Sequence, residues 1–170
     1  MSEIQFKLEF IQYSLNKLTR ENISISEIKD TYYKLFSQLH NKKTLMIAGS
    51  QGSGKSTLSL LIKTYFKKFY KKDVVILSID DFYLSSFQRE KLAINFKTNL
   101  FHTRGVPCTH NLKLLIETVD KLKRNKFPVY IPIFDKVTDN KKKYNKKINK
   151  ADLIILEGWC VGSKPIEPMY

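Results

Sequence analysis

Cysteine is scarce in this sequence, and long apolar runs are missing. The 170 residues include two cysteines, Cys108 and Cys160, too few for the disulfide network that staples small secreted proteins. No apolar run approaches the roughly 18 residues of a membrane span. The N-terminal stretch MSEIQFKLEF has acids where a signal peptide has a basic stretch and an apolar core. We therefore expect a protein of the reducing cytoplasm without membrane contact.

Arginine is also scarce, although the chain is strongly basic. Thirty Lys and Arg stand against sixteen Asp and Glu, for a net charge of +14, and four of the thirty are Arg. Proteins that read bases or clamp phosphates rely mainly on Arg, so we do not expect a nucleic-acid partner. A biased codon composition and a functional surface for polyanions both stay open as explanations of the charge.

Residues 1–40 have the pattern of two amphipathic helices. Apolar residues at spacings of three and four form one helical face: Ile4, Leu8, Ile11, Leu15 and Leu18. A second helix is expected to begin at Ser24, because Ser24 and Glu27 have the spacing of a capping box. The length favours one domain with an appendage, so we assign residues 1–40 to a helical appendage and residues 41–170 to the core.

The core has the pattern of an α/β fold. Three short, unbroken apolar runs at Leu45–Ala48, Val74–Ile79 and Leu153–Leu156 are typical of strands buried on both faces of a parallel sheet. A helix between the first two runs completes a βαβ unit, and a further helix is expected from Thr109, its N-cap, to Lys123. We predict three layers, with a mostly parallel sheet between helices on both faces.

Two segments before the last strand are expected to lie outside the main sheet. Val129–Asp135 has an extended pattern, but Pro128 and Pro132 exclude it from a central strand, so we expect an edge ribbon or a loop. Lys141–Lys150 is rich in Lys and Asn and has one aromatic residue, Tyr144. This composition favours a solvated loop over a stacking platform for nucleic acid.

The strongest motif follows the first apolar run. GSQGSGKST fits the phosphate-loop pattern G-x-x-x-x-G-K-[ST] and predicts that a triphosphate is bound by Gly49, Ser50, Gln51, Gly52, Ser53, Gly54, Lys55, Ser56 and Thr57. The glycines let the backbone curl around phosphate with its amides pointing inward, and the next helix adds its positive end. Lys55 can reach the β- and γ-phosphates, and the Ser56 hydroxyl can ligate Mg²⁺. ATP and Mg²⁺ are therefore the expected cofactors.

Acidic residues follow the other two apolar runs. Asp80 and Asp81 come after the second run and Glu157 after the third, and ligands of parallel α/β sheets lie at the carboxyl ends of strands. A carboxylate near the phosphate loop can accept the proton of an acceptor hydroxyl, a role open here to both Asp80 and Asp81, and we assign a catalytic role on the phosphates to Lys55. Ser56, Asp80 and Glu157 are expected to hold Mg²⁺, with Glu157 in a Walker B position. The alternative is that these acids only cap strand ends.

Four blocks of sequence, taken together, carry a resemblance. They are GSQGSGKST, SIDDFYL (Ser78–Leu84), RGVPCTHNLKLL (Arg104–Leu115), and IPIFDKVTDN with LEGWCVGSKP (Ile131–Asn140, Leu156–Pro165). In their order and spacing they resemble the plant-type D-glycerate 3-kinases, which belong with uridine kinase, pantothenate kinase and phosphoribulokinase. The first block is common to many NTPases, whereas the others together are specific to this family. The resemblance implies that the γ-phosphate of ATP passes to a hydroxyl of D-glycerate, giving 3-phosphoglycerate.

The resemblance also implies which residues bind the acceptor. Asp80 is similar to the carboxylate that activates the acceptor hydroxyl, and Arg104 is expected to grip an acceptor carboxylate, which a guanidinium can hold at two points. The other implied contacts are Asp81, Tyr83, His110, Asp135 and Lys136. A loop ion pair between Asp135 and Lys136, and a polar helix start at His110, are the alternative interpretations.

The chain departs from the family pattern in three respects. Cys108 stands where the family usually has Gly, which adds a Cβ to a tight loop, and Asn111 stands where it has Asp. The family's later segment, with a lid, part of the adenine pocket and further strands, does not follow EGW here, so we expect an incomplete core that can self-associate. The alternative functions are a kinase for another small hydroxylated metabolite and a non-catalytic ATP-binding module.

Overall fold

The computed structural model describes residues 2–164 of the chain. Pro165, which ends the fourth sequence block, and the part of the predicted core after it lie outside the described residues. Within residues 2–164, no helix combines the length and the apolar character that crossing a membrane requires.

The N-terminal helices pack onto the helix that follows the phosphate loop. They are α1 (Glu3–Thr19), α2 (Ile25–Ile28), a π-helical turn (Lys29–Tyr33) and α3 (Lys34–Leu39). The predicted capping box of Ser24 and Glu27 is confirmed, and Leu8, Ile11 and Leu15 are the buried residues of α1. These side chains share one apolar core with α4 (Lys55–Tyr70) and with the strands beneath it. The N-terminal helices therefore enlarge the core on one side of the sheet.

The main sheet is parallel and lies between two layers of helices. The strands of the described residues are β1 (Thr44–Ala48), β2 (Val74–Ser78), β3 (Val129–Ile131), β4 (Phe134–Asp135), β5 (Asn140–Lys141), β6 (Lys146–Ile148) and β7 (Leu153–Gly158). Three of them pair in parallel in the order β1-β7-β2. Leu153 and Ile155 of β7 join the core that includes α4, whereas Ile154 faces the other way and joins a second core that includes α6 (Leu112–Lys123). The predicted three-layer α/β fold is confirmed.

The other four strands form two small antiparallel ribbons beside the main sheet. β3 pairs with β6, and β4 pairs with β5, so the segment with Pro128 and Pro132 is an edge ribbon, as predicted. The prediction of a solvated loop at Lys141–Lys150 is wrong in part, because Lys141 and Lys146–Ile148 lie in strands. Ile148 packs against the second core. This contact and the pairing with β3 order a segment whose composition has no strand signal.

Short helical segments join the sheet to α6, and they correct two predicted boundaries. A 3₁₀ turn (Ile79–Phe82) follows β2, and α5 (Ser86–Asn95) and a second 3₁₀ turn (Asn99–His102) precede α6. The second strand therefore ends before Ile79. The N-cap of α6 is Asn111, whose side chain accepts a hydrogen bond from the Leu114 amide. Thr109 lies too early in the chain to reach the free amides of the first turn, and it donates to the Val106 carbonyl instead.

The loop before α6 holds Cys108 in the left-handed region of backbone conformation. Its φ angle is 72°, which favours glycine because the Cβ of any other residue comes close to a carbonyl oxygen. The cysteine side chain is exposed. Cys108, which the resemblance implies stands in place of a glycine, therefore lies at a position where a side chain strains the backbone.

Replacing Cys108 by Gly is expected to stabilise the folded state. Relief of left-handed strain contributes about 1–2 kcal/mol, and the added flexibility of Gly in the unfolded chain costs about 0.5–1 kcal/mol, which leaves a gain of up to about 1.5 kcal/mol. Urea unfolding followed by circular dichroism measures the free energy of unfolding. Cys108→Ala keeps the Cβ and is the matched control, with no gain expected. An equal gain in both variants would show that the backbone conformation is not the cause.

Candidate active site

The phosphate loop joins β1 to α4 and has the backbone of an anion site. Gly52 and Gly54 have φ angles of 80° and 82°, which glycine adopts without strain. Gly54 is the residue before α4, so the unpaired amides at the start of that helix lie at the loop. Lys55 Nζ donates to the Ser50 carbonyl at 2.6 Å. The predicted segment Gly49–Thr57 therefore combines free amides, a helix N-terminus and an ammonium group in one loop.

A buried carboxyl group lies beside the start of α4. Glu157 is 7% exposed, and its Oε1 accepts a hydrogen bond from the Ser56 hydroxyl at 3.2 Å. In the parallel register Glu157 lies opposite Ile47 of β1 and Ser78 of β2. A hydroxyl and a carboxylate, completed by water and phosphate oxygens, fit the coordination that Mg²⁺ prefers. The side chains of Ser56 and Glu157 are thus able to hold this ion together.

The 3₁₀ turn after β2 directs its two aspartates differently. Asp80 Oδ2 accepts from Lys136 Nζ at 2.6 Å, which joins two residues predicted for the acceptor site. Asp81 accepts from the Phe134 amide of β4 at 3.1 Å, and burial raises the pKa of its carboxyl group above the ordinary value. Asp80 is therefore the aspartate that can meet a ligand, while Asp81 anchors the turn to the ribbon of β4 and β5.

Tyr83 and His110 stack on each other beside this turn. Their ring centroids are 4.1 Å apart with an interplanar angle of 26°, and their backbones form an isolated antiparallel bridge. Burial lowers the pKa of His110 and raises the pKa of Tyr83 to about 12, so both rings are neutral near pH 7. Among residues 2–164, nothing forms a hydrogen bond with His110 Nε2. This nitrogen is therefore a buried polar atom that the described residues leave without a hydrogen bond.

The sequence analysis missed two residues that hold Arg104 in place. Arg104 Nη1 donates to Asp139 Oδ1 at 2.5 Å and to the Lys136 carbonyl at 3.4 Å. The other carboxyl oxygen of Asp139 accepts from Arg89, whose side chain is 1% exposed and also donates to the Leu84 carbonyl at 2.8 Å. The available signal was Arg89 itself. The chain has only four Arg among thirty basic residues, and a guanidinium, unlike a Lys ammonium, can donate to several acceptors in one plane.

Asp135 turns toward its own loop. Its Oδ1 accepts from the Val137 amide at 3.0 Å, and this hydrogen bond holds the pKa of Asp135 below its ordinary value. The alternative of an ion pair between Asp135 and Lys136 is wrong, since Lys136 pairs with Asp80. The structure thus joins Asp80, Lys136 and Arg104 in one cluster, with Asp135 beside it.

Similar proteins share the segment that carries these residues. The sequence pattern of the Phosphoribulokinase / Uridine kinase family matches residues 44–162. TDA10, a probable ATP-dependent kinase of Saccharomyces cerevisiae, is 37% identical over 155 residues, which cover 82% of this chain and 53% of that protein. The chloroplastic D-glycerate 3-kinase of Arabidopsis thaliana is 30% identical over 154 residues, which cover 75% of this chain and 32% of that protein.

A solved structure extends the similarity to the N-terminal helices. A D-glycerate 3-kinase from Cryptococcus neoformans var. grubii superposes with a TM-score of 0.67 at 25% identity, covering 98% of this chain and 56% of that chain. The chain spans about half the length of these relatives, 53% of TDA10 and 56% of the Cryptococcus chain. Because the family pattern covers residues 44–162, including the phosphate loop, both acidic strand ends and the cluster of Asp80, Lys136 and Arg104, the chain belongs to the phosphoribulokinase/uridine kinase family of P-loop kinases.

Proposed function

We propose that the chain is an ATP- and Mg²⁺-dependent kinase that phosphorylates a hydroxyl of a small acidic metabolite, D-glycerate, to give 3-phosphoglycerate. The observation that carries the proposal is the cluster of Asp80, Lys136 and Arg104. Lys136 links the other two residues, since its ammonium group pairs with Asp80 at 2.6 Å and its carbonyl accepts from Arg104 at 3.4 Å. Lys136 therefore contacts both the proposed proton acceptor and the proposed carboxylate clamp.

The phosphate loop binds and orients the triphosphate in this mechanism. Loop amides and Lys55 hold the β- and γ-phosphates, and Lys55 exchanges its 2.6 Å hydrogen bond with the Ser50 carbonyl for a phosphate oxygen. Ser56 and Glu157 would hold the magnesium ion through their hydroxyl and carboxylate oxygens. When bound, this ion would supply positive charge that neutralises the phosphates.

Asp80 acts on the acceptor hydroxyl. It accepts the hydroxyl proton as the hydroxyl oxygen bonds to the γ-phosphorus, and the bond from that phosphorus to the bridging oxygen breaks to release ADP. Lys136 positions the Asp80 side chain through their ion pair. Arg104 binds the carboxylate of the acceptor, which competes with Asp139 for the guanidinium group.

Replacing Asp80 by Asn is expected to abolish turnover while ATP still binds. Loss of a general base lowers kcat about 10²–10⁴-fold, whereas the phosphate loop keeps its contacts. ADP release with Mg-ATP and D-glycerate measures turnover, calorimetry measures ATP binding, and Lys55→Ala is the blank. Asp120→Asn, an exposed acid on α6, is the matched control and should keep full activity. A normal rate for Asp80→Asn would refute its role.

One observation favours a second candidate function, a kinase for a neutral polyol. Asp139 already pairs with Arg104 at 2.5 Å, so the guanidinium charge is balanced before an acceptor arrives. D-glycerate and glycerol share two hydroxyl carbons and differ at the third carbon, a carboxylate in one and a hydroxymethyl group in the other, so they are a matched pair of acceptors. Faster ADP release with D-glycerate supports the acidic acceptor, and faster release with glycerol supports the neutral one. ATP binding without release in either case would favour a non-catalytic ATP-binding module.

Replacing Glu157 by Gln is expected to weaken ATP binding only when Mg²⁺ is present. Gln keeps an acceptor for the Ser56 hydroxyl but loses the charge that attracts the metal, so the Kd for Mg-ATP should rise about 10–100-fold. Calorimetric titrations in Mg²⁺ and in EDTA measure both conditions. Glu117→Gln, at an exposed position of α6, is the control. An equal loss in Mg²⁺ and in EDTA would mean that Glu157 supports the loop rather than the metal.

A further inference from the structure

A cavity of about 290 Å³ lies between the phosphate loop and the N-terminal helices. Lys55 and Thr57 line it on the side of the loop, and Ile47 lines it at the end of β1. The opposite wall consists of Leu15 and Thr19 from α1 and Tyr32 from the π-helical turn. The cavity therefore opens directly onto the residues that bind phosphate, and its far wall belongs to the segment assigned from sequence to an appendage.

The strand order places this cavity away from the cluster of Asp80, Lys136 and Arg104. β7 lies between β1 and β2, so the cavity beside β1 and Asp80 after β2 are separated by two strand spacings, about 10 Å. A triphosphate held by the loop with its γ-phosphate toward Asp80 can extend its other end toward β1 and into the cavity. That end carries the nucleoside.

The cavity walls have the chemistry that a nucleobase requires. Leu15 and Ile47 are apolar, Tyr32 has a ring on which a base can stack, and ligand pockets combine such walls with few polar groups. The Thr19 hydroxyl already donates to the Leu15 carbonyl at 3.0 Å, so this residue adds little polarity. A volume near the lower end for small-molecule pockets, about 300 Å³, is room for one nucleoside.

Tyr32 lies on a backbone segment that is unusual for a helix. Residues Lys29–Tyr33 form a π-helical turn between α2 and α3, and such turns are rare and frequently occur at functional sites. Tyr32 and Tyr33 are neighbours in this turn and both are partly buried against the first core, but of the two only Tyr32 lines the cavity. The family pattern begins at residue 44, so the whole π-helical turn lies outside it.

We infer that the N-terminal helices bind the nucleoside end of the nucleotide, a purine nucleoside whose base contacts Tyr32 in this cavity. The inference rests on the proposed function, since it takes the phosphate loop to hold ATP. The helices of residues 1–40 are then part of the nucleotide site, and Tyr32 is a specificity residue that contacts ATP.

The affinities of ATP and of tripolyphosphate test this inference, because tripolyphosphate has the phosphates without the nucleoside. Calorimetry in Mg²⁺ should show that wild type binds ATP more tightly than tripolyphosphate. Tyr32→Ala should weaken ATP binding about tenfold, as expected for one lost base–aromatic stack, and leave tripolyphosphate binding unchanged. Thr19→Phe, which fills the cavity from α1, should have the same selective effect. Tyr33→Ala, in the same turn but outside the cavity, is the matched control and should change neither affinity.

Each other outcome would overturn the inference in a recognisable way. If ATP binds no more tightly than tripolyphosphate, the nucleoside contact is absent although the phosphate loop functions as proposed. If Tyr32→Ala lowers both affinities equally, Tyr32 only supports the fold of the loop. If wild type binds neither compound, the proposed function fails as well. Photolabelling with 8-azido-ATP adds a direct readout: label on peptides containing residues 15–32 supports the inference, and label confined to other peptides contradicts it.

Discussion

The position of β7 between β1 and β2 is the constraint on which every part of this site depends. Parallel pairing in register sets Glu157 between the end of β1, which leads into the phosphate loop, and the end of β2, which leads into the turn with Asp80. A Cβ on Gly158 would lie 2.3 Å from Ile79 Cγ2. Glycine after Glu157 is therefore required for that turn to pack against β7.

Polar contacts of partly or fully buried residues extend this order outward to the cluster of Asp80, Lys136 and Arg104. The hydrogen bond from the Phe134 amide to Asp81 fixes β4 against the turn after β2, and this brings Lys136 to Asp80. Arg89, almost fully buried, holds Asp139, which in turn holds Arg104. A buried guanidinium needs such partners because an unpaired charge inside a protein is costly. Lys136 and Arg104, at the exposed ends of these networks, are thus positioned by the partners of Asp81 and Arg89.

The local features of the site could be predicted because their physics is local. The phosphate loop depends on glycines at fixed spacing and on a helix that starts directly after it, and both lie within one stretch of sequence. The same holds for the capping box at Ser24. The N-cap at Asn111 could not be predicted, because the loop before α6 decides at which residue that helix begins. The strand at Lys146–Ile148 could not be predicted either, because this Lys-rich segment becomes a strand only by pairing with Val129–Ile131.

The sequence by itself determined the layers of the fold, the phosphate loop and the acids at the strand ends, because apolar periodicity and short-range backbone geometry are properties of neighbouring residues. Only the tertiary structure decided that Lys136 meets Asp80 rather than Asp135, that Asp139 links Arg89 to Arg104, and that Tyr32 faces the phosphate loop. Each of these contacts joins residues from separate segments of the chain. Their pairing is settled by packing of the sheet, the ribbons and the N-terminal helices, which no single segment encodes.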